Sequence, residues 1–318
     1  MDCWYPITIR RRKRFKDKES KITFEYTDGS FMQVPCGRCP ACRRRKQNEW
    51  AFRCLEEAKV SKITAFVTLT YDDDHLPLSA SGVPTLCPDH LTKLFKDLRY
   101  RIDSFRYFAC GEYGDKFGRP HAHLLFFYNG SSSLKEIEDA FAECWFYGHI
   151  KFEHGITAGR AKYCAKYSMK NIGFDYGDVV PPFARMSRRP GIGKAFKDNH
   201  SLISKMRRMD QWFVHDYQGT PYVLPRFYKE HLYSKDEIDA HSLLVEKLHF
   251  TRQDQELREF SLDNFGSFYE STANQLRNQE RLFIKHLKQE NYGFKYMPKS
   301  QSTRLRWGPS DFDGSDEF

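Results

Sequence analysis

Residues 105–130 read FRYFACGEYGDKFGRPHAHLLFFYNG. Two runs of strand length, FRYFACGEYG (105–114) and RPHAHLLFFYNG (119–130), flank the glycine-containing connection Asp115-Lys116-Phe117-Gly118. Aromatic-rich runs joined this way pair as an antiparallel hairpin. Leu124 to Phe127 are apolar at successive positions and so on both faces, which predicts a buried central strand. His121 and His123 stand at its start. Being one residue apart on a strand they project from the same face, a spacing that suits a divalent ion. Glu112, just before the turn on the partner strand, is close enough in register to add a carboxylate oxygen. Two histidines and one carboxylate leave coordination positions open for a phosphate. The competing reading of a bare His-x-His pair is surface or hydrogen-bonded histidines.

Upstream, KITAFVTLTY (62–71) is a β-branched and aromatic run ended by Asp72-Asp73-Asp74. From Asp89, the apolar residues Leu91, Leu94, Phe95, Leu98 and Ile102 recur at helical spacing. Downstream, Ser133 and Glu136 have capping-box spacing ahead of Leu134, Ile137, Phe141, Cys144 and Trp145, a second amphipathic helix. GHIKFE (148–153) fits a short strand, and a further helix starts near Thr157. The order strand, helix, strand, strand, helix, strand, helix is the split β-α-β pattern of an α+β fold. It predicts an antiparallel, ferredoxin- or RRM-like sheet with helices on one face.

That last helix contains AKYCAKYSMK (161–170), which writes Tyr-x-x-Lys twice, as Tyr163 with Lys166 and Tyr167 with Lys170. Residues four apart share a helix face, so both hydroxyls are expected to point into one place. The competing account is an aromatic stripe packed on the sheet. The lysines either favour phenolate and contact phosphate or are simply solvated.

The chain has 318 residues, 40% hydrophobic, 16% aromatic and 29% charged, with a net charge of +9. This composition fits a folded chain with its own core rather than extensive disorder. No apolar run approaches the roughly 20 residues of a membrane span, and the N-terminus lacks the apolar stretch of a secretory signal, so an intracellular protein without membrane attachment is expected. Residues 1–60 carry 15 Lys+Arg against 8 Asp+Glu, which favours a polyanionic partner or a solvated basic surface. Three regions are expected: a basic N-terminal region with a cysteine cluster (1–60), the split β-α-β core (61–200) and a mainly helical accessory region (201–318). The connector VVPPFARMSRRPGIGKAF (179–196) marks the edge of the core. DEIDAHSLLVEKLHF (236–250) and NQERLFIKHLKQE (278–290) are the clearest late helices, and SDFDGSDEF (310–318) reads as an acidic tail.

Nine cysteines without a secretory signal read as thiols or metal ligands rather than as disulfides. Cys36, Cys39 and Cys42 can converge on one ion. A tetrahedral zinc needs a fourth ligand, for which Cys3 is the first choice and Cys54 the alternative. An iron–sulfur cluster or unliganded thiols fit the same spacing. Cys54, Cys87, Cys110, Cys144 and Cys164 otherwise read as small core or surface residues. Arg43, Arg44, Arg45 and Lys46 open a helical segment as phosphate contacts. Arg188, Arg189 and the Gly191-Ile192-Gly193 turn add further candidate phosphate donors, although the glycine spacing is not that of a nucleotide-binding P-loop.

FVTLTYDD, GRPHAHLLFF and YCAKYSMK, in this order and at these separations, resemble the three motifs of the HUH endonucleases that start rolling-circle replication of single-stranded DNA. The doubled tyrosine motif resembles the replication initiators of small icosahedral single-stranded DNA phages. CGRCPACRRRKQNEWAFRC (36–54) and SRRPGIGKAF (187–196) resemble the gokushovirus-type branch of the microviruses. The resemblance covers roughly residues 1–200. It implies that Tyr163 and Tyr167 attack a DNA phosphodiester in turn, leaving a 5′-phosphotyrosine and a 3′ hydroxyl, with Lys166 and Lys170 assisting. It also implies Mg2+ or Mn2+ on His121, His123 and Glu112, single-stranded and origin DNA as substrate, host helicase and polymerase as partners, and the bacterial host cytoplasm as location. Two alternatives stand beside it: a transposase or relaxase with the same chemistry, and a non-enzymatic, zinc-containing nucleic-acid-binding protein.

Overall fold

A computed structural model describes residues 3, 5–16, 22–114, 117–167, 176–215, 219 and 221–259. The chain divides into two compact units, Met1–Lys46 and Gln47–Phe318. In the first, β1 (Ile7–Lys16) and β2 (Ile22–Val34) form an antiparallel ribbon, with Ile7 opposite Val34 and Lys16 opposite Ile22. The boundary falls inside α1 (Pro40–Lys59).

The second unit runs β3 (Ile63–Thr70), α2 (Pro88–Arg101), β4 (Phe105–Tyr113), β5 (Pro120–Tyr128), α3 (Leu134–Cys144), β6 (Ile150–His154), α4 (Ala158–Lys166) and β7 (Phe183–Met186). The strands make one antiparallel sheet in the order β6-β3-β5-β4-β7. The α+β class and the hairpin-centred antiparallel sheet are therefore those expected. Local signals set the helix starts. Ser133 Oγ accepts from the Glu136 backbone N–H at 3.3 Å while Glu136 Oε2 accepts from the Ser133 N–H at 2.6 Å, a complete capping box for α3. Thr157 Oγ1 caps α4 by accepting from the Arg160 N–H at 3.2 Å.

Helices cover both faces, a correction to the one-sided arrangement expected. On one face Leu91, Leu94 and Leu98 of α2 and Ile137 and Phe141 of α3 pack on Val67, Leu69, Leu124 and Phe126. On the other, Ala51 and Cys54 of α1 and Ala161, Cys164 and Ala165 of α4 pack on Phe66, Phe108, Leu125 and Phe127. The cause lies in the central strand. Leu124 and Phe126 alternate with Leu125 and Phe127, all buried, and each exposed side chain would forgo roughly 1.5–3 kcal/mol of burial, so neither face can be left to water.

After the sheet come α5 (Ala195–Asp198), α6 (His200–Arg208), β8 (Phe213–His215), β9 (Pro221–Val223), α7 (Arg226–Leu232) and α8 (Lys235–Glu259). Phe196, Met206, Trp212, Leu224 and Tyr228 gather around Phe52 of α1 as a further core. DEIDAHSLLVEKLHF lies within α8, whereas NQERLFIKHLKQE and the acidic tail lie outside the described residues. Gly191-Ile192-Gly193 joins these layers instead of forming the phosphate-binding turn expected. Arg53 Nε donates to the Ile192 carbonyl at 3.0 Å, the Gly193 N–H donates to Glu57 Oε2 at 2.7 Å, and the Tyr228 hydroxyl donates to the Gly193 carbonyl at 3.0 Å. Glu57 also pairs with Arg106, and the Arg53 guanidinium lies 4.1 Å from the Trp50 ring centre and 3.9 Å from that of Phe227. The Gly193 N–H is committed inside the protein because a buried Glu57 carboxylate requires donors. Among the described residues, no helix is long and apolar enough to cross a membrane.

Candidate metal and nucleophile site

The hairpin register sets Glu112 opposite His121 and Cys110 opposite His123, while β3 sets Thr70 opposite His121 and Thr68 opposite His123. Alternation then puts Glu112, His121, His123 and Thr68 on the face covered by α4. Glu112 Oε1 lies 3.1 Å from His121 Nε2 and 2.8 Å from His123 Nε2. The carboxylate is only 2% exposed. Each ring is held from its other nitrogen: His121 Nδ1 by the Arg119 carbonyl at 3.1 Å, His123 Nδ1 by Thr68 Oγ1 at 3.0 Å. The Phe66 ring stacks on His123 with centroids 5.0 Å apart. A strand places the ligands, and its neighbours fix their rotation.

This arrangement passes a chemical test for a cation. A carbonyl only accepts, so His121 Nδ1 carries a hydrogen, and in the neutral ring Nε2 then presents a lone pair to the Glu112 carboxylate. Two acceptors face each other, and either a second proton or a cation must lie between them. A histidine that donates from one nitrogen to a backbone carbonyl is the usual second-shell support of a metal ligand. One ligand atom from each of Glu112, His121 and His123 falls within 4.8 Å of the others. Burial acts to raise the Glu112 carboxyl, but hydrogen bonds from both histidines, their charge and Tyr163 hold it well below the usual carboxylate range.

Helix α4 brings the tyrosines to the same carboxylate. The Tyr163 hydroxyl donates to Glu112 Oε1 at 2.5 Å, with the Tyr163 and His123 rings 5.1 Å apart. The Tyr167 hydroxyl is within hydrogen-bonding reach of Glu112 and Tyr163, and the tyrosine rings are 5.3 Å apart. Both hydroxyls thus converge, but their access differs: Tyr163 is 39% exposed and Tyr167 3%. The cause is that Tyr167 caps the C-terminal end of α4 and turns into the core with Ala165 and Cys164. Burial and the negative Glu112 push both phenols above their ordinary value. Lys166 is half-buried, with Nζ 6.0 Å from the Tyr167 ring centre. Lys170 lies outside the described residues.

The remaining candidates stand apart from this site or in the other unit. Arg188 and Arg189 are exposed just after β7. Arg43, Arg44, Arg45 and Lys46 open α1 in the first unit, where Arg43 Nε donates to the Arg38 carbonyl at 2.9 Å. Cys3, Cys36, Cys39 and Cys42 come together in that unit, each Sγ within 4.8 Å of the others. Cys54 is instead buried against α4 and the sheet in the second unit. Thr68 and Phe66, which orient His123, carry no motif of their own; the trace they leave in the sequence is a lone polar residue inside FVTLT, on the side of β3 that faces the histidines.

Residues 64–172 match the model of the replication-associated protein ORF2 family. The replication-associated protein ORF2 of Spiroplasma virus 4 is 32% identical over 238 residues, covering 64% of this chain and 72% of that protein. The chain belongs to the microvirus replication-associated protein family. Two further relatives, the replication-associated proteins VP4 of Bdellovibrio phage phiMH2K and ORF4 of Chlamydia phage 1, are each 28% identical. They cover 78% and 62% of this chain, and are themselves covered over 82% and 53%. No solved structure matches. Within this replication-associated protein, Glu112, His121, His123, Tyr163 and Tyr167 all fall inside the family match, and the cysteine cluster falls outside it.

Proposed function

We propose that the protein is a metal-dependent HUH endonuclease and strand transferase that nicks and rejoins single-stranded origin DNA in rolling-circle replication of a phage genome, with its chemistry in residues 61–200. The observation that carries this reading is the convergence of the Tyr163 hydroxyl with two histidines on one buried carboxylate, in a member of a phage replication family.

Tyr163 is the more accessible nucleophile and is assigned the first attack. Its oxygen forms a bond to the scissile phosphorus, the bond from phosphorus to the 3′ oxygen breaks, and that oxygen leaves as a 3′ hydroxyl after taking a proton. The phenolic proton is lost from the oxygen that now donates to Glu112. Reversal by a 3′ hydroxyl restores the phosphodiester and the free tyrosine, so rejoining needs no ATP. A Mg2+ or Mn2+ ion on Glu112, His121 and His123 would supply polarisation of the phosphate and offset the Glu112 charge that disfavours phenolate. Tyr167 supplies the second attack once its ring leaves the core, and Lys166 and Lys170 contact the phosphate. Arg43, Arg44, Arg45, Lys46, Arg188 and Arg189 add contacts to the DNA backbone. The sequence holds no helicase or polymerase motif, so host enzymes in the cytoplasm of the infected cell unwind and copy the DNA.

The test is incubation with circular single-stranded genome and Mn2+, followed by a search for protein-linked DNA that survives boiling in detergent. The adduct is expected from the unaltered protein and absent from Tyr163→Phe/Tyr167→Phe. Salt-sensitive binding with no adduct would favour a non-enzymatic binding protein, and cleavage persisting in the double variant would favour hydrolysis by water.

A further inference from the structure

We propose that Cys3, Cys36, Cys39 and Cys42 bind one structural zinc ion that closes the base of the β1–β2 ribbon onto the first turn of α1. This goes beyond the nuclease reading and does not depend on it. The distances argue for a single ion. A tetrahedral zinc with arms of about 2.3 Å sets its sulfurs about 3.8 Å apart, and Cys3 Sγ lies 3.8 Å from Cys39 Sγ, inside a group whose four sulfurs all fall within 4.8 Å of one another. An iron–sulfur cluster spreads its thiolates over two or four iron atoms and needs a wider cage.

The surroundings are those of bound thiolates. The Cys36 N–H points at Cys3 Sγ at 3.2 Å and the Cys39 N–H at Cys36 Sγ at 3.3 Å, donors aimed at sulfur as in the outer shell of a metal site. Zinc displaces four thiol protons to solvent and leaves a centre of charge −2, with no change of oxidation state. Cys39 and Cys42 put that charge at the start of the 20-residue helix α1, whose free N–H groups favour an anion.

The architecture of the first unit also requires it. Cys3 precedes β1, Cys36 follows β2, and Ile7 pairs with Val34, so the thiols meet at the open end of the ribbon. A two-stranded ribbon is marginal in water by itself. Among the described residues the first unit's core consists of Cys39, Ala41 and Cys42 with Cys3 and Cys36 against them. All four thiols are free, with no disulfide to hold them. A unit of this size with so little apolar surface to bury is one that a metal stabilises.

The experiment uses the full chain carrying His121→Ala and His123→Ala, so that only the cysteine site counts and nuclease activity plays no part in the readout. After exhaustive dialysis, elemental analysis should find one zinc per chain. Cobalt in its place should give thiolate-to-metal charge-transfer and tetrahedral d–d bands. Cys3→Ser and Cys39→Ser should each abolish zinc retention, whereas Cys144→Ser should leave it unchanged. Chelation should open residues 1–46 to protease before the rest of the chain. A dialysed protein without metal, one holding iron instead of zinc, or a Cys3→Ser chain that keeps its zinc would each overturn the assignment.

Discussion

The Tyr163 hydroxyl donates to Glu112 Oε1, the same oxygen that His121 and His123 reach with their Nε2 atoms. One buried carboxylate therefore organises both the candidate ion site and the candidate nucleophile. Changes at Glu112 should alter metal affinity and cleavage together, whereas changes at Tyr163 should alter cleavage alone.

Tyr163→Phe should lower the rate of first cleavage by roughly 10³-fold or more, the scale of losing a nucleophile. Metal affinity should be unchanged. Tyr167→Phe should leave first cleavage close to normal and block the second transfer. Single-turnover nicking followed by a strand-exchange assay separates the two steps.

Glu112→Gln keeps the shape of the side chain and removes its charge. Cleavage should fall by roughly 10²–10³-fold, as for other losses of preorganised electrostatic stabilisation, and calorimetry should show weaker Mn2+ binding. Chelation should stop cleavage by the unaltered protein, and Mn2+ should restore it.

Gly193 has φ +77°, and an added Cβ would lie 2.3 Å from the Tyr228 hydroxyl oxygen and 2.7 Å from the Arg53 carbonyl. Gly193→Ala should therefore cost about 3 kcal/mol or more, through backbone strain and collision together. Gly155, at φ +76°, has no heavy atom within 4 Å of such a Cβ, and Gly155→Ala should cost only about 1–2 kcal/mol. Urea unfolding of the two variants tests the difference.

Burial pushes the Tyr228 phenol above its ordinary value, with the Arg53 charge opposing. A group raised in the folded state contributes stability fully below its unfolded value, near 10 for tyrosine, and loses it as pH rises toward the folded value. At pH 8, Tyr228→Phe should be less stable by about 1–3 kcal/mol, because the Gly193 carbonyl loses its donor. Above about pH 10 that deficit should shrink, since only the chain with Tyr228 gains a proton-releasing group on unfolding. Unfolding curves at pH 8, 9.5 and 11 measure the trend.

Replacing Arg43, Arg44, Arg45 and Lys46 by alanine should weaken binding to single-stranded DNA of any sequence. The slope of log affinity against log salt should become shallower by about 0.7 for each phosphate that the protein no longer neutralises. Binding titrations at several salt concentrations read it directly.

Much of this protein follows from short-range pattern. Alternation and the glycine turn in residues 105–130 set the hairpin, and with it the register that brings Glu112 beside His121; period-2 geometry leaves few other ways to pair those strands. Ser133 with Glu136 and the apolar spacing of Leu91 to Leu98 marked helices for the same local reason. Three features depended on the folded chain. Cys3 rather than Cys54 joins the thiol cluster because α1 carries Cys54 into the second unit's core. Gly191-Ile192-Gly193 faces Arg53, Glu57 and Tyr228, residues distant in sequence that need its backbone groups. Tyr163 and Tyr167 have equivalent sequence surroundings and unequal exposure because α4 ends between them. Spacing specifies which residues share a face, whereas burial depends on what long-range packing lays over that face.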